Sequence, residues 1–243
     1  MLPRFYVPDL APDTGSARLG PDEAHHLSRV LRLVKGDLVA VFDGRGVEWR
    51  ARVESASRDS ARLSLLEPIP SRLPSVAIVL AQAVLKHDAM DDVIRDCTMV
   101  GVAAIQPLVT SRTTVKTSAF RLAPERWRRV ALSSAKQCGA ARLPEIAEVT
   151  RFDEWLQPPL PEHTYLLIEP GAAVEATTLR HLARIPPPAR ALLLVGPEGG
   201  WTAEERDGAI AAGATPLSLG PLTLRAATVG MAACAALVGI WSE

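Results

Sequence analysis

The chain has 243 residues, 48% hydrophobic and 22% charged, with 27 Lys/Arg against 27 Asp/Glu. That length gives one large domain or two modest ones a real core. Three widely spaced cysteines, Cys97, Cys138 and Cys234, argue against a disulfide framework or a zinc site, and the N-terminus has no long apolar segment of the signal-peptide kind, so a cytoplasmic, reduced protein is the simplest expectation.

Residues 1 to about 70 read as a small β-rich domain. Pro21 to Leu33 is its helical stretch, with Ala24, Leu27, Val30 and Leu31 on one face. Asp37 to Phe42 is strand-like, Asp43-Gly44 is a turn signal, Val47 to Val53 alternates, and Ala61 to Leu66 can pair with it. Pro68, Pro70 and Pro74 mark a linker.

From residue 75 strands alternate with helices, which predicts a largely parallel sheet. Val76 to Ala81 is a strand. Met90, Val93, Ile94 and Cys97 form a helix face, and Asp88, Asp92 and Asp96 on the other side read as solvent-facing rather than as metal ligands. Ala103 to Val109 is a strand, Pro124 to Gln137 a helix opened by proline, and Tyr165 to Ile168 a strand before Glu169-Pro170-Gly171. Pro186-Pro187-Pro188 ends a connector.

Two units of the same grammar close the chain. Ala191 to Val195 is short and continuously apolar, as expected of a strand buried on both faces. The turn Gly196-Pro197-Glu198-Gly199-Gly200-Trp201 follows, then a helix start, because Thr202 and Glu205 fit a capping box. Leu217 to Leu219 is a second strand, Gly220-Pro221 a second turn, and Leu224 to Trp241 an apolar helix. Its apolar run, Ala226 to Trp241, is shorter than the roughly 20 residues a membrane span needs. Open α/β sheets place ligands beyond the carboxyl ends of strands, so two such turns predict two walls of one pocket. Neither GxxxxGK[ST] nor GxGxxG is present, and Glu198 inside the first turn repels phosphate. An adenosyl ligand carrying a cationic sulfonium suits the turn better.

Charge is uneven although it sums to zero. Residues 112–151 hold nine Lys/Arg against three Asp/Glu, and residues 152–243 hold five against ten. A basic central segment suggests an anionic partner met at one face. Around the first helix Arg29, Arg32 and Lys35 suit phosphate contacts. Histidines 25, 26, 87, 163 and 181 lack a Ser or Cys partner motif, and HExxH and CxxC are absent. Hydrolase and metalloenzyme readings are weak, and no metal is expected. The missing dinucleotide fingerprint also disfavours a nucleotide-cofactor oxidoreductase.

Residues 195–200 (Val-Gly-Pro-Glu-Gly-Gly) and Leu219-Gly220-Pro221 with Leu224-Arg225 resemble the paired motifs of the bacterial 16S rRNA (uracil-N3)-methyltransferases, of the SPOUT class. The resemblance extends over nearly the whole chain. His26-Leu27-Ser28-Arg29-Val30-Leu31-Arg32, Gly36-Asp37 and Asp43-Gly44 are similar to that family's N-terminal RNA-binding domain. Arg126-Trp127, Gln137-Cys138-Gly139 and residues 142–146 are similar to its middle segment. The resemblance implies a PUA-like β-barrel over residues 1–71, then an α/β SPOUT domain over 72–243 with a parallel sheet and a trefoil knot around S-adenosylmethionine. General rules of chain topology argue against a knot, and only the resemblance supports one.

The implied reaction is S-adenosylmethionine-dependent N3 methylation of a uridine in 16S rRNA, free or within the 30S subunit. Leu194, Gly196, Pro197, Glu198, Gly199, Gly200, Leu219, Gly220, Leu224 and Thr228 are the implied cofactor residues. Arg225 and Arg4 are the implied cationic groups at the reacting base, Arg4 reaching it across the domain boundary. Arg112, Lys116 and Arg142 join Arg29, Arg32 and Lys35 in the implied RNA track. The C-terminal helix is apolar nearly all round, so one face against its own sheet would not bury it; full burial inside one chain competes with a partner helix, and the resemblance implies the latter, a homodimer through this helix. The chain departs from the family at four places: Met99, Ser133 and Ala227 stand where glutamates are usual, and Leu222 where arginine is usual. The alternative these departures raise is an RNA-binding paralogue impaired in catalysis.

Overall fold

The computed structural model describes residues 2–115, 123–172 and 174–242, and the chain forms two units. Met1–Leu73 and Leu132–Leu143 make the first, and Pro74–Ala131 and Pro144–Glu243 the second.

The first unit is built on a five-stranded sheet ordered β1-β3-β4-β5-β2. Its strands are β1 (Arg4–Tyr6), β2 (Ser16–Leu19), β3 (Leu38–Phe42), β4 (Glu48–Ala56) and β5 (Ala61–Pro68). The alternating segments pair antiparallel as their pattern predicts, Val41 opposite Trp49 and Val53 opposite Leu63. β1 and β2 escape sequence reading because three or four residues carry too little alternation. Phe5, Leu19, Leu27, Val39, Val41 and Leu63 fill the core.

The helical stretch of this unit departs from expectation. It begins at Pro21 as α1 (Pro21–His25), but His26–Val30 widens into a π-helical turn, closed by Leu31 N–H donating to His26 O at 2.9 Å. Arg32 then adopts a left-handed φ of 55° and ends the helix before Leu33. The wider turn rotates the following side chains off the apolar face. Ala24 and Leu27 remain buried, whereas Val30 and Leu31 are 58% and 40% exposed.

The second unit carries an eight-stranded sheet in which every pairing is parallel. In chain order its elements are β6 (Ala77–Ala83), α2 (Ala89–Val100), β7 (Ala104–Val109), α3 (Ala123–Cys138, whose end belongs to the first unit), β8 (Glu145–Ile146), β9 (Thr150–Arg151), α4 (Phe152–Trp155), β10 (Thr164–Leu167), β11 (Thr177–Thr178), α5 (Leu179–Leu182), β12 (Arg190–Val195), α6 (Ala203–Ala211), β13 (Thr215–Ser218) and α7 (Ala226–Trp241). The order is β11-β13-β10-β12-β6-β7-β8, with β9 also on β7. Apolar clusters cover both faces, as a parallel sheet requires. Met90, Val93, Ile94 and Cys97 are buried, and Leu80, Leu193, Cys234, Leu237 and Trp241 belong to the same cluster.

Helix α7 packs on α2, α5, β12 and β6. Gly230 makes one close approach possible, because a Cβ there would lie 3.0 Å from the buried Gln82 Oε1. Between α2 and α7 the thiols of Cys97 and Cys234 meet; that hydrogen bond, with burial, pushes the Cys234 thiol well above its ordinary range. Among the described residues no helix is long and apolar enough to cross a membrane.

Candidate functional site

Strands β6, β7, β10, β12 and β13 run parallel, so the loops that follow them gather at one edge of the sheet. These loops enclose a cleft of about 650 Å³, within the range of small-molecule and cofactor sites. Its walls are Leu85, Ala89 and Asp92 after β6, Arg112 after β7, residues 167–170 and Ala172 after β10, residues 195–201 and Arg206 after β12, and Leu219, Gly220, residues 222–227 and Val229 after β13. Both glycine-bearing turns line it, as their sequence grammar predicts.

The first turn is held from several sides. Glu198 Oε1 accepts from the Lys86 backbone N–H at 3.0 Å. Arg112 Nη1 donates to Gly199 O at 2.7 Å and to Trp201 O at 3.2 Å. Trp201 Nε1 donates to Leu167 O at 3.2 Å, and its ring lies 5.1 Å from that of Phe152. The capping box forms: Glu205 N–H donates to Thr202 Oγ1, and Thr202 N–H donates to Glu205 Oε2. Glu205 Oε1 also accepts from Ser111 N–H at 2.7 Å, which ties the loop after β7 to the start of α6. At the same helix start the backbone and the Thr202 hydroxyl hold Glu204 below the usual carboxylate range.

Glycine is required in this turn for space. A Cβ at Gly196 would meet the Trp201 ring at 3.2 Å, and one at Gly199 would meet Arg112 Cβ at 3.3 Å. Gly200 also has φ +68°, a conformation that side chains disfavour.

The second turn is barer. Leu222 is 77% exposed and Leu224 is 40% exposed. Arg225 is the N-cap of α7, with no side-chain hydrogen bond or ion pair among the described residues. A cation at a helix N-terminus opposes the dipole, so its position costs stability locally and leaves its guanidinium open to the cleft.

Cleft charge is balanced, Asp92, Glu169 and Glu198 against Arg112, Arg206 and Arg225. Asp92 pairs with Arg95 at 2.8 Å, and Arg206 pairs with Asp207, which raises the Arg206 guanidinium further. The Glu169 carboxylate has no partner among the described residues.

The structure brings Gly196, Pro197, Glu198, Gly199, Gly200, Leu219, Gly220, Leu224 and Arg225 together in one cleft. Leu194 is instead fully buried in the sheet core, and Thr228 is exposed and off the lining. Arg112, expected on an RNA track, is a cleft wall. Asp92 also lines the cleft, although its row reads as solvent-facing in sequence. Glu169 follows a strand by the same grammar as the two glycine turns, and that was the available signal for it.

Arg4 is committed inside the first unit. It is 8% exposed, its Nε donates to Glu48 Oε1 at 2.9 Å, its Nη1 and Nη2 donate to Ala135 O and Ala140 O, and the guanidinium lies 4.5 Å from the Phe42 ring centre. Each guanidinium nitrogen has an acceptor, the condition for burying a charge, and Arg4 is not in the cleft lining. Arg29, Arg32 and Lys35 are exposed in the first unit with no ion pair among the described residues. Arg142 is exposed there too, its Nε donating to Arg45 O at 3.4 Å. Lys116 lies outside the described residues.

Comparison with known proteins agrees with this architecture. Residues 71–238 match an RNA methyltransferase domain, and residues 19–66 match an RNA methyltransferase PUA domain. The chain is 37% identical to a ribosomal RNA small subunit methyltransferase E from Synechocystis over 88% of this chain and 69% of that protein. It is 32% identical to one from Mycobacterium bovis over 98% of this chain and 92% of the other. A ribosomal RNA small subunit methyltransferase E from Neisseria gonorrhoeae, solved bound to S-adenosyl methionine, superposes with a TM-score of 0.86 at 29% identity, over 99% of this chain and 98% of that one. A methyltransferase from Legionella pneumophila in complex with the same cofactor superposes at 0.87 with 28% identity, over 100% and 99%.

Proposed function

The chain belongs to the ribosomal RNA small subunit methyltransferase E family, and from that premise we propose that it methylates N3 of a uridine in 16S rRNA, using S-adenosylmethionine held in the cleft. The observation that carries this reading is the cleft itself: both glycine-bearing turns line it, together with the apolar Leu85, Leu167 and Val195. Its donor set fits the cofactor. The Glu169 carboxylate, without a partner among the described residues, suits a cationic ligand.

S-adenosylmethionine supplies a methyl group already activated by its sulfonium. The protein must hold the base in line, help remove the N3 proton and exclude water. Arg225, open to the cleft, stabilises negative charge on the uracil as the proton leaves. Gly196, Pro197, Glu198, Gly199, Gly200, Leu219, Gly220 and Leu224 form the cofactor walls. Arg4 carries no role in the reaction here; its donors are spent in the first unit.

Residues 1–71 are the PUA-like RNA-binding domain and 72–243 the SPOUT domain. Arg29, Arg32, Lys35 and Arg142 bind RNA phosphates, a reading supported by their exposure. The trefoil knot finds support in the chain path: β13 lies on the far side of β10 from β12, and α7 returns to pack on β12 and β6. The working form is a cytoplasmic homodimer joined through α7. Exposed Ala235 and half-buried Ala232 and Ala236 support that face, since small residues let helices approach closely, and in a symmetric dimer one substitution is felt twice.

Calorimetric titration with S-adenosylmethionine, followed by methyl incorporation into 30S particles, tests the reaction. Binding without incorporation would favour the RNA-binding paralogue. RNA affinity should fall as salt rises, and Arg29→Gln with Arg32→Gln should lower it while leaving cofactor affinity unchanged. Ala236→Glu should yield monomers in sedimentation; a monomeric wild-type chain at micromolar concentration would refute the dimer.

A further inference from the structure

Two of the opposite charges in the cleft face one place without pairing. Glu169 Oε1 is 3.5 Å, and Arg112 Nη1 4.0 Å, from the point where a Cβ on Gly200 would stand. No ion pair joins them among the described residues. Asp92, Glu198 and Arg206 already have partners in Arg95, the Lys86 backbone and Asp207. Arg112 spends Nη1 on the carbonyls of Gly199 and Trp201, and its Nε and Nη2 have no acceptor among the described residues. Glu169 spends no carboxylate oxygen. A cation and an anion held apart over a residue with no side chain form a receptor for a ligand carrying both charges a few bonds apart. An α-amino acid is such a ligand.

We propose that Glu169 and Arg112 clamp the amino-acid end of the cofactor, Glu169 receiving its ammonium and Arg112 its carboxylate, with Gly200 glycine so that this end can lie between them. The proposal rests on the cofactor reading above and adds which residues recognise the zwitterion. It divides the cleft: the glycine turns hold the adenosyl portion, Glu169 and Arg112 the amino acid, and Arg225 is left for the base.

Three probes separate these tasks in calorimetric titrations: S-adenosylmethionine, its decarboxylated analogue, and 5′-methylthioadenosine, which lacks the amino-acid end. Glu169→Gln, which disturbs no described contact, should weaken the first two by about ten- to a hundredfold, the size of a lost charged hydrogen bond, and leave methylthioadenosine within about twofold. Arg112→Gln should weaken S-adenosylmethionine by a similar factor and the decarboxylated analogue far less. Equal losses for all three probes would overturn the clamp and reduce Arg112 to a support for the Gly199 turn. Unchanged S-adenosylmethionine affinity in Glu169→Gln would overturn it as well. A wild-type chain that binds no adenosyl probe would overturn the cofactor reading itself.

Discussion

The two glycine-bearing turns share a sequence grammar and differ in how they are held. The turn at residues 196–201 is fastened by side chains from loops after other strands, with Glu198 on the Lys86 backbone, Arg112 on two carbonyls and Trp201 on Leu167. In the turn at residues 219–225, Ser218 Oγ donates to Gly220 O at 3.4 Å, Leu222 is 77% exposed, and the Arg225 side chain has no hydrogen bond or ion pair among the described residues. A fastened wall is preorganised for its ligand, and ordering it costs little on binding. A bare wall keeps its charged group available for the second substrate. Both turns supply cofactor walls in the proposed reading; the line between them is that the fastened turn serves affinity alone, whereas the bare one also carries Arg225, proposed for the base.

Substitutions should split along that line. Arg225→Gln is expected to have the largest effect, a fall of about a hundredfold in kcat, the scale of removing one donor to a developing anion, with S-adenosylmethionine affinity unchanged in calorimetry. Equal losses in kcat and affinity would erase the division between the turns. Gly199→Val should act the opposite way. Its side chain meets Arg112, so cofactor affinity should fall more than tenfold, and normal affinity would sink the placement of the cofactor in this turn. Thr202→Ala removes the cap behind the fastened turn and should lower stability by about 1 kcal/mol in denaturant titration. Leu222→Ser on the bare turn should stay within about 0.5 kcal/mol. A larger loss there would mean that the second turn is packed after all.

Much of this was legible because it rests on short-range rules. The runs at residues 76–81 and 191–195 are buried strands for the reason their composition suggests, and Thr202 with Glu205 makes the cap its spacing predicts. What sequence hid depends on long-range geometry. Arg112 reads as one more basic residue until β7 is placed in the sheet and its following loop meets Gly199. Arg4 reads as a free arginine until Glu48, Ala135 and Ala140 close around it. Asp92 lies on the polar side of α2, yet that side borders the cleft. Residues 132–143 group with the first unit, which a single boundary near residue 72 does not convey. The π-helical turn at His26–Val30 has no periodic signature over five residues and exposed two side chains that a regular helix would bury.

Ala227, where the resemblance leads one to expect a glutamate, lines the cleft beside Arg225. The most direct test is to incubate the wild-type protein with unmethylated 30S particles and isotope-labelled S-adenosylmethionine, digest the 16S rRNA to nucleosides and separate them by mass spectrometry. Label is expected in 3-methyluridine and should be lost in Arg225→Gln. Label absent from every nucleoside, in a protein that binds S-adenosylmethionine and 16S rRNA, would contradict the proposed methylation.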